Sequence, residues 1–428
     1  MGDAYLVSTA RTPIGSFVGS LSALAAPALG ARAIRAAVER AGIAADAIEQ
    51  VIMGNVVGAG LGQAPARQAG LGAGIPQAHG ALTVNKVCGS GLMAVALAAQ
   101  AIRLGEADAV VAGGMESMSN APYLLPGVRT GQRLGHGRVV DAMIVDGLWD
   151  PYDDFHMGSA AERCARARDV TRAAQDAFAV ESYRRAQAAI AAGAFADEIV
   201  PVEVPGRRGP TVVGVDEEPA RIDFARVSEL KPAFERDGTI TAANASTIAD
   251  GAAAVVVASD AACTRHALRR RARIVATATA GRAPAEFPVA PIDAVRRVLD
   301  RAGLSTADVD LYEINEAFAV VALACMRELD LDAARVNVHG GAVALGHPIG
   351  ASGARVLVTL LHALEQRGLR RGLATLCLGG GEAIAMVIDR DVEAPMSGRR
   401  LSERGRMAAT RTEAIWRVPA GTRIRGTA

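Results

Sequence analysis

Short apolar, β-branched runs alternate along the chain with Ala-rich stretches of helical period. Val51-Ile52-Met53, Ala109-Val110-Val111-Ala112, Ala253-Ala254-Val255-Val256-Val257 and Ala374-Thr375-Leu376-Cys377-Leu378 predict buried strands, and residues 29–40, 92–104, 295–301 and 354–367 predict helices. Such alternation indicates an α/β fold in layers. The pattern also repeats. Glu39-Arg40-Ala41-Gly42-Ile43 recurs as Asp300-Arg301-Ala302-Gly303-Leu304, each ending a helix before a short acidic turn and a strand. Downstream, Ser90-Gly91 opens a helix that leads through a strand to Gly113-Gly114, and Ser352-Gly353 opens one that leads to Gly379-Gly380. The two matches have nearly the same offset, so the chain reads as two related α/β halves.

A different stretch lies between them. Residues 119–248 carry eight prolines, many charges and one helical pattern near residues 171–192. We expect a first half over residues 1–118, to which 249–268 return, an insertion over 119–248 and a second half over 269–390. Residues 391–428 lack sustained periodicity and read as a mobile appendage. Eight of the last thirty residues are Arg, against two Glu, so a net charge of +1 hides a mildly acidic body. No overall positive field would attract a polyanion. Aromatics make up only 4% of the chain, which argues against a surface for stacking nucleic-acid bases. The five cysteines are odd in number and widely spaced, without a C-x-x-C pair, which fits neither a disulfide framework nor a zinc site. A reducing compartment is expected. Neither a secretory signal nor a membrane-spanning run is read, so the cytoplasm is the expected location.

The candidate chemistry sits at strand ends. Cys88, in Asn85-Lys86-Val87-Cys88-Gly89-Ser90-Gly91-Leu92, falls at a strand-to-helix turn, where the helix N-terminus favours thiolate. His347 lies in a Gly-rich turn before the corresponding helix of the second half, Gly340 to Gly353. Two halves packed about a pseudo-twofold axis would bring thiol and imidazole together as nucleophile and base. Alone, Cys88 reads equally as a buried structural cysteine, and His347 reads more readily as a hydrogen-bonded structural histidine. Cys377-Leu378-Gly379-Gly380-Gly381 ends the last clear strand and exposes backbone amides suited to an oxyanion. Asn315 follows another strand and can fix a water or cap a helix. Gly58-Ala59-Gly60-Leu61-Gly62 lacks the spacing of a dinucleotide loop, and no G-K-[ST] marks a P-loop.

Together these segments resemble the thiolase family from Val7 to about Asp389. Further matches are Phe155-His156-Met157-Gly158, Lys231-Pro232-Ala233-Phe234, Asn244-Ala245-Ser246 and Asp250-Gly251-Ala252-Ala253. The resemblance implies a five-layered αβαβα fold of two βαβαβαββ halves, with the insertion covering coenzyme A. It implies that Cys88 takes up the acyl group, that His347 activates it, and that Cys377 is the acid/base at the α-carbon. Asn315 would hold a water of one oxyanion site, and the amides of Cys88 and Gly379 would form the other. Leu148, His156, Met157, Ser246, Ala317 and Phe318 would line the pantetheine and acyl site. No metal or organic cofactor is implied, because coenzyme A thioesters are the substrates. The expected reaction is reversible condensation of two acetyl-CoA to acetoacetyl-CoA and coenzyme A, with a broad 3-ketoacyl-CoA thiolase of fatty-acid metabolism as the alternative. A homodimer or homotetramer is expected, with no nucleic-acid or membrane partner. A ketoacyl synthase, a Cys-His hydrolase and a non-catalytic scaffold fit less well, since Cys88, His347, Cys377 and Asn315 occur together. The sequence departs from the thiolase pattern at Glu382, where an uncharged residue is more usual, and at Thr247-Ile248-Ala249.

Overall fold

The computed structural model describes residues 2–391; the Arg-rich tail beyond Asp391 lies outside the described residues. The first half runs β1 (Ala4–Arg11), α1 (Ala26–Ala41), β2 (Gln50–Gly54), α2 (Pro65–Ala73), β3 (Gly80–Val84), α3 (Ser90–Leu104), β4 (Ala109–Ser117). Residues 118–248 then leave the sheet, carrying α4 (Met157–Ala167) and α5 (Arg172–Ala191), and the chain returns as β5 (Ala249–Ser259). The second half runs β6 (Ala272–Gly281), α6 (Ala290–Ala302), β7 (Leu311–Ile314), α7 (Ala319–Leu329), α8 (Ile349–Gln366), β8 (Arg371–Leu378) and β9 (Glu382–Asp389).

The strand orders of the halves match. In the first it is β3-β2-β4-β5-β1, with β2 parallel to β3 and β4 and the remaining pairs antiparallel. In the second it is β7-β8-β9-β6, with β7 parallel to β8 and the rest antiparallel. The counterpart of β3 is reduced to one parallel bridge between Tyr312 and Val336. The duplication expected from sequence is therefore present, with one strand worn down to a single residue pair. β1 and β6 join the halves into one mixed sheet through Tyr5↔Arg273 and Leu6↔Ala272.

The repeated Ala-Gly motif has a physical cause. Gly42 ends α1 at φ 69° and Gly303 ends α6 at φ 65°, both left-handed. A glycine enters that region without the Cβ penalty, and its amide closes the last helical turn. Each cap is followed by a 3-10 turn, Ala45–Ala47 or Thr306–Asp308, that feeds a strand.

Five layers result. Leu29 and Ile34 of α1 pack with Val111 and Val256 in one core, and Val295 of α6 and Val321 of α7 pack with Ala383 and Val387 in another. Between the two halves of the sheet lie α3 and α8, where Leu92 and Val95 share a core with Val356 and Leu360, and with strand residues Val255 and Leu376 on either side. Helix α8 is buried on all sides from Ile349 to Leu364, mostly by apolar residues, with Ser352, Arg355, Thr359 and His362 as buried polar positions. Residues 87–104 are also long and apolar enough to cross a membrane, with mean hydropathy 1.6, contrary to the expectation that no such run exists. Their apolarity is accounted for by the middle layer, where α3 has sheet on both sides.

The two Ser-Gly helix starts meet there. A methyl group at Gly91 would come within 2.7 Å of the Ala354 amide, and one at Gly353 would collide with the Leu92 amide. Glycine at both positions allows the helix backbones to touch. Gly353→Ala is expected to overpack this contact, cost about 1–3 kcal/mol and lower the thermal midpoint by several degrees. Gly80→Ala, which has open space around it, serves as the control. Equal midpoints for the two variants in a calorimetric scan would contradict the close-contact account.

Candidate active site

The crossing of α3 and α8 sets two loops side by side. The chain leaves β3 at Val84 and makes a tight turn into α3. The turn is closed by Gly89 N–H to Lys86 O (3.1 Å) and Ser90 N–H to Val87 O (3.1 Å), while the Ser90 hydroxyl donates to Val87 O (2.6 Å) and accepts from Lys86 N–H (2.8 Å). Val87 is held at φ 46°. A β-branched residue there stores roughly 1–3 kcal/mol of strain, a condition common at functional sites. Cys88 follows it and turns its side chain into a cavity of 470 Å³.

His347 enters the same cavity from the start of α8. Its N–H donates to Thr247 O (3.0 Å), which ties the loop to the end of the insertion. The ring Nδ1 lies 2.5 Å from Ser352 Oγ, and that hydroxyl donates to Pro348 O (2.9 Å). With the hydroxyl proton so committed, the imidazole donates from Nδ1, and Nε2 keeps its lone pair. Nε2 has no hydrogen-bond partner among the described residues. Gly379, in the turn between β8 and β9, lines the cavity with Cys88, and its amide and that of Cys88 itself favour the thiolate.

Of the residues expected at the site, Cys88, His347, Gly379, Leu148, His156 and Met157 line the cavity, and so do Ser246, Ala317 and Phe318. Cys377 and Asn315 do not. Both are fully buried. Cys377 packs in one apolar cluster with Met157, Ala317 and Phe318, near enough to Cys88 that a charge on either sulfur opposes one on the other. Asn315 is fixed by its N–H to Thr375 O (3.0 Å), yet neither side-chain polar atom has a partner among the described residues. Such an orphaned amide is the mark of an ordered water or ligand atom. No group of three or more His, Cys, Asp or Glu among the described residues is placed to hold a metal ion.

The remaining wall is apolar. Phe234 stacks on His156 at 4.7 Å and meets Phe318 edge-on at 6.0 Å, and Phe287 meets Phe318 at 6.4 Å. His156 Nδ1 accepts from Gly158 N–H and caps α4. Glu218 and Arg221 also line the cavity.

Three comparisons bear on this geometry. Residues 4–261 match the family model "Thiolase, N-terminal domain" and residues 268–390 match "Thiolase, C-terminal domain". The chain belongs to the thiolase family. It is 53% identical over 393 residues to an acetyl-CoA acetyltransferase of Pseudomonas aeruginosa, covering 91% of this chain and 100% of that protein. It is 52% identical over 392 residues to one of Cupriavidus necator, with the same coverage. Among solved structures it is similar to Acat5 thiolase from Ascaris suum in complex with coenzyme A, with TM-score 0.86, 46% identity and coverage of 91% of this chain and 100% of that one. The expected thiolase-like fold is thus present.

Within this thiolase site the electrostatics depart from one expectation. The start of α3 was expected to favour thiolate at Cys88. Burial instead pushes the thiol up to about 11, nearby Glu116 adds to the rise, and the two amides do not reverse it. Burial and the Arg355 guanidinium push His347 down to about 3. Cys377 is held well above the usual thiol range by burial and by the other sulfurs. Desolvation of a charge in an apolar wall outweighs the helix terminus. Thiol and imidazole therefore rest neutral, and the proton moves only when the sulfur attacks.

Two supporting carboxylates had no sequence signal, because their partners are remote in the chain. Glu116 accepts from Asn55 Nδ2 (2.7 Å), Val56 N (3.0 Å), Val57 N (3.2 Å) and Gly350 N (2.9 Å), and so fixes the start of α8 beside His347. Burial raises it to about 7. Glu316 accepts from Ser182 Oγ (2.7 Å), Asn337 Nδ2 (2.7 Å) and Val343 N (3.1 Å), and ties α5 to the histidine loop.

A resting thiol implies a pH signature. Below its pKa the thiolate fraction grows tenfold per pH unit, so alkylation of Cys88 by iodoacetamide should accelerate steadily through pH 9. A plateau reached near neutral pH would contradict the neutral pair.

Proposed function

We propose that the protein is an acetyl-CoA acetyltransferase, interconverting two acetyl-CoA with acetoacetyl-CoA and coenzyme A. The observation that carries this reading is the arrangement at one cavity: Cys88 shares the cavity with His347 and with Gly379, whose amide favours the thiolate, and has Cys377 buried close by. The relatives named as acetyl-CoA acetyltransferases and the coenzyme A complex of the Ascaris suum thiolase support acetyl-CoA and coenzyme A as ligands.

In the cleavage direction His347 Nε2 takes the Cys88 proton as the sulfur bonds the 3-keto carbon of acetoacetyl-CoA. The bond between C2 and C3 breaks, and the Cys377 thiol protonates the departing enolate carbon. The first acetyl-CoA leaves. Coenzyme A then gives its thiol proton to the Cys377 thiolate and attacks the acetyl-Cys88 carbonyl. The Cys88 sulfur departs and recovers its proton from His347. Covalent capture divides one hard step into two. The amides of Cys88 and Gly379 hold the oxygen of one intermediate, while a water on Asn315 with His347 holds the other; one lost donor of this kind costs roughly 2.7–4 kcal/mol. The raised pKa of Cys377 suits its role. It rests as the acid that cleavage needs, and its thiolate is the strong base that a weakly acidic α-proton requires in condensation.

The crowding of Phe234, Phe287 and Phe318 at the cavity supports a short acyl group over the long chains of the β-oxidation alternative. Leu82 is half exposed on β3, the end strand of the sheet, which supports the expected dimer or tetramer. Cys88→Ala should abolish thiolysis of acetoacetyl-CoA with the fold intact, and equal rates would refute the nucleophile. Cys377→Ala should still accept an acetyl group but no longer exchange the α-proton of acetyl-CoA with solvent; normal exchange would remove its role as base.

A further inference from the structure

The glutamate that departs from the family pattern has a specific partner. Glu382 Oε2 lies 2.7 Å from Lys86 Nζ. Lys86 stands two residues before the nucleophile, in the turn that closes on itself from Lys86 to Ser90, so Lys86 and Cys88 move as one unit. Glu382 is the first residue of β9, fixed by pairing with Leu378 on one side and Gly281 on the other. Between Leu378 and Glu382 lie only Gly379, Gly380 and Gly381, with φ of 83° and 84° at the last two. No side chain braces that turn from within.

Cys88 and Gly379, whose amides favour the Cys88 thiolate, line one cavity from these two loops, one in each half of the chain. Apolar packing brings the loops together: a methyl at Gly89 would come within 2.8 Å of Leu378, and one at Gly379 within 3.4 Å of Val87. Apolar contact is non-directional and tolerates sliding. The one side-chain hydrogen bond between the loops among the described residues is that of Lys86 to Glu382. Neither residue lines the cavity.

We propose that Lys86 and Glu382 are a positioning pair, whose ion pair across the two halves sets the separation between the Cys88 and Gly379 amides and so the seat of the thioester oxygen. Its kinetic consequence rests on the thiolase reading above. Its structural consequence does not. The two side chains are 19% and 44% exposed, and pairs so exposed add little to folding stability. The effect therefore falls on the rate, because a displacement near 1 Å at a catalytic group costs up to about a hundredfold.

The test uses Glu382→Ala, Lys86→Met and the swapped pair Lys86→Glu with Glu382→Lys. In Glu382→Ala, iodoacetamide should alkylate Cys88 more slowly than in the wild type, because the Gly379 amide no longer supports the thiolate. Loss of the carboxylate charge alone would act in the opposite sense and speed alkylation. For acetoacetyl-CoA thiolysis, each single variant should lose on the order of tenfold in kcat, with KM changed by less than about twofold and the thermal midpoint nearly unmoved. The swapped pair should recover most of both losses. Alkylation that is unchanged or faster, or a swapped pair no better than the single variants, would overturn the proposal. A wild type without thiolysis would instead refute the thiolase reading, and the alkylation rates would still decide the pair.

Discussion

The contact between α3 and α8 is the constraint from which the rest of the structure follows. Two helix starts, one from each half, approach so closely that only glycine fits at Gly91 and Gly353. Each start carries a loop, and each loop carries one reacting group. A wider crossing would separate Cys88 from His347 whatever the loops themselves did. Duplication makes the arrangement possible, because two copies of one strand-turn-helix unit packed about a pseudo-twofold axis present the same end to each other. The serines of the two starts show this correspondence. Ser90 closes the nucleophile turn, while Ser352 orients the imidazole.

Dryness is the second theme. The middle layer is buried on both sides, and the charges within it are paired. Arg355 of α8 lies 3.5 Å from Glu313, whose carboxyl burial raises to about 8, and outside that layer Arg11, at the end of β1, binds Glu198 (2.6 Å) and Asp216 (2.7 Å) of the insertion. Buried pairs of this kind add uncertain stability but are costly to break, so they fix position. The same low polarity keeps Cys88 and His347 neutral at rest and makes the Cys377 thiolate a strong base. One property of the wall thus sets the proton inventory of all three groups.

Much of this was legible in the sequence. The Ala-Gly motif at Gly42 and Gly303 announced helix ends because left-handed caps demand glycine. The Ser-Gly pairs announced the two helix starts, and α5 (Arg172–Ala191) matches the helix expected near residues 171–192. The strand runs were legible because strands covered on both faces are apolar throughout. Other features were hidden. The bridge at Val336 is a single pair with no periodicity to detect. Glu116 works through Gly350 and Glu316 through Ser182, partners that no local pattern links. The rise of the Cys88 thiol was not legible because the helix terminus is visible in sequence, whereas the apolar wall around the sulfur is not.

The central claim is that an imidazole from one half activates a sulfur in the other. The most direct measurement is the rate at which acetyl-CoA acetylates Cys88, followed by intact mass and peptide mapping, in the wild type and in His347→Gln. The account predicts a single acetyl group on Cys88, formed at least about a hundredfold more slowly in the variant. Equal rates, or an acetyl group on another residue, would contradict it.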